Sequence, residues 1–144
     1  MKLISHRGNI NGKKINEENR PEYIDNAILQ KYDVEIDIWI INKMFYLGHD
    51  KPEYLINQDW LEERKEKLWI HCKNIDAVEW FSENKTFHFF WHQNDTLTLT
   101  SRGLLWVFPG NQPIKNSVAV LPEIENENVK SCFAICSDYI SKYL

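Results

Sequence analysis

The sequence predicts an α/β fold, a compact and shortened TIM-type (β/α) barrel whose second half is poor in helices. Three observations lead there. Strand-like and helix-like runs alternate over the first part of the chain. The runs after Asn84 are short, rich in β-formers and separated by brief turns. The length of 144 residues falls well below the roughly 250 typical of an eight-stranded α/β barrel, so helices must be missing or replaced by loops.

Each element has its own signal. Leu3 and Ile4 begin a strand, and the polar stretch Asn9 to Arg20, with Asn11-Gly12, reads as a loop opening directly after it. Pro21 suits the first turn of a helix, Asn19 suits its cap, and Tyr23, Ile24, Ala27 and Ile28 recur at helical spacing. From Asp33 to Ile41 a β-branched run sets Val34, Ile36 and Ile38 on one face and Glu35, Asp37 and Trp39 on the other.

Met44 to Gly48 continues as an extended segment. Gln58 to Lys67 reads as an amphipathic helix with Trp60 and Leu61 inward, Leu68 to Lys73 as a strand and Ile75 to Glu83 as a helix. Phe87 to Gln93, Leu104 to Phe108, Ser117 to Leu121 and Phe133 to Ser137 then read as short strands. The rings of Trp69, Phe89, Phe90, Trp91, Trp106 and Phe108 are most economically core, since large aromatics dominate burial in a small domain, with one or two at the open end available to a sugar or lipid headgroup.

Composition narrows the function classes. With 43% hydrophobic residues the chain has enough apolar surface to fold as one domain, residues 1 to 144. A net charge of -4 with scattered lysines and arginines gives no basic footprint for nucleic acid, while a small anionic substrate needs only a few cations in a pocket. Cys72, Cys132 and Cys136 form no CxxC pair, which points to reduced, structural thiols. No stretch approaches membrane-spanning length, and no apolar leader-like run follows Met1. The expectation is a cytoplasmic protein without a membrane span.

The chemistry-bearing residues fall at predicted strand ends, where loops of a parallel barrel line the open end: His6-Arg7-Gly8, Glu35-x-Asp37, His49-Asp50, His71-x-Lys73 and Trp91-His92. Alone, Glu35 and Asp37 are equally compatible with a solvent-facing strand. Sharing one buried face, two carboxylates repel unless a cation neutralises them, and a divalent metal is the simple candidate. His6 and His49, with reference pKa values of about 6.5, suit the deprotonation of an attacking hydroxyl and the protonation of a leaving alkoxide. Arg7 offers two-pronged hydrogen bonding to a phosphate and Lys73 a second positive charge. His88 and His92 read as packing or supporting residues, and Glu123 and Asp138, at or just past predicted strand ends, either reach the open end or are solvated.

In this order, His6-Arg7-Gly8, Glu18-Asn19, Glu35-x-Asp37 and Gly48-His49-Asp50 resemble the glycerophosphodiester phosphodiesterase family, within the wider phosphatidylinositol phospholipase C-like group. The likeness is concentrated in residues 1 to 50, is weaker at Leu68 to Lys73 and thins afterwards apart from the terminal strand Ala134 to Asp138. It implies a barrel, a phosphoric diester hydrolase or a lyase giving a cyclic phosphate, acid-base histidines at His6 and His49, and one divalent ion on Glu35 and Asp37. Arg7 and Lys73 would then hold the phosphate.

One departure stands out, since His71 occupies the place of the family's usual third acidic ligand. An imidazole there shifts the expected ion from magnesium or calcium towards manganese or another softer metal. Two other readings remain open: a non-catalytic module binding a phosphorylated glycan or lipid headgroup, and a zinc hydrolase using His71, His92 and an acid. A shortened barrel with exposed strand edges further predicts a homodimer.

Overall fold

The computed structural model describes residues 1–144. Ten strands form one mixed sheet: β1 (Lys2–His6), β2 (Asp33–Ile41), β3 (Met44–Leu47), β4 (Tyr54–Ile56), β5 (Leu68–Cys72), β6 (Phe89–Trp91), β7 (Leu97–Leu99), β8 (Leu105–Val107), β9 (Ser117–Val120) and β10 (Ala134–Ser137). Three short helices accompany them, α1 (Pro21–Leu29), α2 (Gln58–Arg64) and α3 (Ile75–Ser82).

The strand order is β4-β3-β2-β1-β10-β9-β8-β7, with β5 on the other edge of β2 and β6 beyond it. Strands β1, β2, β5, β6, β8, β9 and β10 pair in parallel, whereas β3, β4 and β7 join through antiparallel pairs.

The expected TIM-type (β/α) barrel is therefore corrected. The chain forms a curled, mixed half-barrel without regular alternation of strand and helix. All three helices precede residue 83, and β6 to β10 follow one another through turns and loops. The physical reason lies in the connections, several of which are too short to carry a helix back across the sheet.

Side-chain alternation divides the interior in two. On one side of the sheet Val34, Ile36, Ile38, Ile70 and Ile135 pack with Ile24 and Ala27 of α1, Leu61 of α2 and Ala77 and Phe81 of α3. The opposite, concave side holds Ile4, Trp69, Phe90, Trp106, Val118, Val120, Ala134 and Cys136. Ring centroids of Trp69 and Phe90 lie 5.8 and 4.6 Å from that of Trp106, so β5 and β6 meet β8 across the concavity. Glu35, Asp37, His6 and His71 share this face and sit above its apolar floor.

The helices begin at Pro21, Gln58 and Ile75, where the sequence places them. Asn57 and Asn74 cap α2 and α3 by accepting the backbone N–H groups of Trp60 and Ala77. Asn19 does not cap α1; Arg20 is the N-cap and makes no side-chain capping bond, and Pro21 begins the helix as expected. No helix of the protein is long and apolar enough to cross a membrane.

Candidate functional site

The site is assembled at the C-terminal ends of β1, β5 and β10 and along the first half of β2, so Glu35 and Asp37 do not lie at a strand end as expected. β1 delivers His6, after which the backbone turns sharply through Arg7 and Gly8 with φ of 56° and 93°. A Cβ on Gly8 would lie 2.4 Å from Tyr23 Cδ2, so only glycine allows this turn to pack under the Tyr23 ring. The turn is pinned by Arg7 N–H donating to Glu35 O at 2.9 Å, and the following loop returns Glu18 and Asn19 to the same place.

Asn19, released from capping, clamps β2. Its side-chain amide donates to Asp37 Oδ2 at 2.9 Å, and its carbonyl accepts the Asp37 backbone N–H at 3.0 Å.

Glu35 and Asp37 are almost completely buried, 2% and 0% exposed. Burial and the neighbouring Asp37 charge push the Glu35 carboxyl well above its ordinary range. For Asp37 burial acts in the same direction, but His71, Arg7 and Asn19 outweigh it and hold the carboxyl below its ordinary range. The Arg7 side chain stands 3.1 Å from Asp37 Oδ2 and 3.6 Å from Glu18 Oε1, so its guanidinium is already ion-paired within the site.

His71 lies opposite these carboxylates. Its Nδ1 is 3.0 Å from Asp37 Oδ1 and 3.9 Å from Glu35 Oε1, while its Nε2 is 3.2 Å from the His92 carbonyl oxygen. A carbonyl can only accept, so Nε2 carries a hydrogen, and Nδ1 is the ring atom turned towards the two acids. The Asp37 contact is off the hydrogen-bond axis: Asp37 Oδ1 and Glu35 Oε2 are both buried without a hydrogen-bond donor. Ligand atoms from Glu35, Asp37 and His71 all lie within 4.8 Å of one another. Two unsatisfied carboxylate oxygens and an imidazole nitrogen in one cluster, with the other ring nitrogen on a carbonyl, fit a divalent cation.

A second group, His6, Glu18 and Asp138, is equally close-set but internally satisfied. Asp138 Oδ1 accepts from His6 Nδ1 at 2.7 Å and from the Asn9 side-chain amide at 2.8 Å, and Asn9 also donates to Glu18 at 2.7 Å. Tyr23 O–H donates to Asn9 Oδ1 and fixes that amide. Burial pushes the Asp138 carboxyl up, but the His6 and Asn9 contacts overcome it and leave it below the ordinary value. The group is an orienting network, and it turns His6 Nε2 towards Glu35 Oε2, 3.8 Å away.

No family model, curated protein or solved structure matches the chain.

His49 follows Gly48, whose φ of 151° brings a would-be Cβ to 2.0 Å from Lys51 O. Gly48 N–H donates to Asp37 O at 3.1 Å and the Trp39 indole donates to Gly48 O at 2.7 Å, which ties the histidine turn to β2. His49 Nδ1 donates to Asp50 at 2.7 Å, yet both side chains are open to solvent, 41% and 89%. Partial burial and the Arg7 charge lower its pKa below the ordinary value. Its ring lines two adjoining clefts. One also contains Arg7, Lys13, Glu18 and Asn19; the other contains His71, Lys73, Trp91 and His92.

The structure thus gathers Glu35, Asp37 and His71 in one cluster, sets His6 and Arg7 against it, and leaves His49 and Lys73 on the cleft walls beside it. His92 contributes its backbone carbonyl to His71, and His88 is buried away from the site against Thr100 and Trp69. Sequence reasoning noted Asp138 just past the last strand without assigning it to the site, and it missed Asn9, which nothing local marked.

Proposed function

We propose that the protein cleaves a small phosphodiester, with His6 and His49 exchanging protons with the attacking and departing oxygens. The observation that carries this reading is the pair of donorless carboxylate oxygens on Glu35 and Asp37, beside His71 and next to a histidine anchored by aspartate.

Glu35, Asp37 and His71 would hold one divalent ion. When bound, that ion supplies charge neutralisation and orientation of a phosphate oxygen. His6, with Nδ1–H held by Asp138, keeps Nε2 as the atom that takes or returns a proton. His49, with Nδ1–H on Asp50, is arranged in the same way from a more exposed position. Lys73 stands free to meet the phosphate, and Arg7 reaches it by exchanging part of its pairing with Asp37 and Glu18.

The attacking hydroxyl is water or a hydroxyl of the substrate itself, giving a monoester or a cyclic phosphate. Phosphorus NMR of mixed glycerophosphodiesters incubated with the protein and manganese, magnesium or calcium tests the reading. A new monoester or cyclic-phosphate resonance that requires the metal is expected; an unchanged spectrum with every ion would overturn it.

A further inference from the structure

Glu123 lies outside the cluster of Glu35, Asp37 and His71, yet it is bonded to the residue that orients His6. Its Oε1 accepts the Ser137 hydroxyl at 2.9 Å and the Asp138 backbone N–H at 3.3 Å, and its Oε2 accepts the Tyr143 hydroxyl at 3.4 Å. Burial and then the Glu123 charge push the Tyr143 phenol up to about 12, so the ring keeps its hydrogen and stays a donor to the carboxylate.

The chain takes a strained path to bring this carboxylate to the end of β10. Leu121, directly after β9, adopts φ of 47°, a left-handed conformation disfavoured for a bulky side chain. Its N–H donates to Cys136 O at 2.7 Å, and its own carbonyl accepts the Ile124 N–H at 3.1 Å. That tight turn carries Glu123 back against Ser137 and Asp138. Strain of this kind persists where the surrounding structure over-determines it, and it concentrates at functional sites.

Asp138 is consequently held on every side. Glu123 takes its N–H, its carbonyl accepts the Gly12 N–H at 2.8 Å, and its side chain meets His6 and Asn9. Ser137 Oγ, besides donating to Glu123, accepts the Tyr139 N–H at 2.9 Å, which closes the turn beyond Asp138. Without Glu123 the Ser137 hydroxyl and the Asp138 N–H both lose their acceptor. The backbone that aims Asp138 Oδ1 at His6 Nδ1 is then loose on one side, and an aspartate able to swing no longer confines the His6 hydrogen to Nδ1.

Resting on the reading of His6 as a proton-exchanging group, we propose that Glu123 is a positioning residue of the site. Through the Ser137–Asp138 backbone it fixes the Asp138 carboxylate and so keeps His6 in the tautomer whose Nε2 is free to exchange protons.

The test compares wild type, Glu123→Ala, Glu123→Gln and a control, Glu125→Ala, an exposed acid two residues further along the same loop. The ring-nitrogen shifts of His6 are read by 1H–15N NMR at pH 8 without added metal, and turnover of glycerophosphodiesters with manganese is measured in parallel. Wild type should show well-separated signals with the hydrogen on Nδ1. Glu123→Ala should draw the two signals together and lower kcat roughly tenfold at nearly constant KM. Glu123→Gln, whose side-chain oxygen can still accept from Ser137 and Asp138, should restore most of both. Ser137→Ala removes one of the two bonds to Oε1 from a buried position where alanine fits, and should show the same change to a smaller extent even where Glu123→Ala does not fold. A wild-type His6 pattern in folded Glu123→Ala and in Ser137→Ala, or an equal change in Glu125→Ala, would overturn the proposal. Because the tautomer is read without turnover, the expected shift in a protein that cleaves no diester would sink the hydrolase reading alone. Turnover by wild type with unchanged His6 nitrogens in the variants would sink the positioning role alone.

Discussion

His6 and Asp138 lie 132 residues apart in sequence, and their side chains meet at 2.7 Å between Nδ1 and Oδ1. Since a carboxylate accepts, the contact fixes the hydrogen on Nδ1 and leaves Nε2 to exchange protons. Asp138→Asn preserves size but offers an amide that can present its own N–H to His6 and favour the wrong tautomer. The expected result is a fall in kcat of about 100-fold or more with little change in KM and a displaced acidic limb of the pH profile. A melting temperature near wild type, measured alongside, separates this from loss of fold.

If the proposed ion sits on Glu35 and Asp37, His71 sets its choice, since a ring nitrogen in that cluster favours manganese or zinc over calcium. His71→Glu should reverse the order of affinities in isothermal titration, strengthening calcium and magnesium relative to manganese, whereas His71→Ala should weaken all of them. Unchanged affinities in His71→Ala would remove this residue from the metal set.

Much of this cluster was readable because period-two alternation puts Glu35 and Asp37 on one face and strand ends bring His6 and His71 to one rim. What stayed hidden depends on long-range pairing. Asp138 is matched to His6 only through the parallel register of β1 with β10, which places Ser5 beside Ser137. Asn19 looked like a helix cap because its local sequence suits one; its amide is instead spent on β2, a choice only the folded site reveals. The barrel expectation failed in the second half, where β7 pairs antiparallel with β8 over three residues, too short a run to register in the pattern. The three-residue β4 escaped for the same reason.

Gly48 positions His49 through a backbone that side chains resist. A Cβ there would collide with the Lys51 carbonyl at 2.0 Å, and the obstacle is main chain rather than a flexible side-chain tip. Gly48→Ala should cost about 1–3 kcal/mol in urea denaturation and reduce turnover further than the fold loss explains, because His49 moves with the turn.

His88 makes stability depend on pH away from the site. Burial, aided by Arg102, depresses its pKa to about 4, against an unfolded value of about 6.5. The unfolded chain therefore binds the proton first: the contribution is whole above pH 6.5 and is lost as pH falls towards 4. The depression corresponds to no more than about 3 kcal/mol, and solvent screening reduces it. Urea unfolding at pH 7 and pH 5 should show a drop for wild type that is smaller in His88→Gln, whose amide can still reach Thr100.

The most direct test of the paired-histidine site compares two diesters, one with an alkyl leaving group and one with 4-nitrophenolate, cleaved by wild type, His6→Ala and His49→Ala in manganese. Both variants should lose at least about 100-fold on the alkyl diester, and the variant lacking the proton donor should recover much of its rate on the nitrophenyl diester, whose leaving group needs no proton. Wild-type rates on the alkyl diester in both variants, or no cleavage of either diester by wild type, would contradict it.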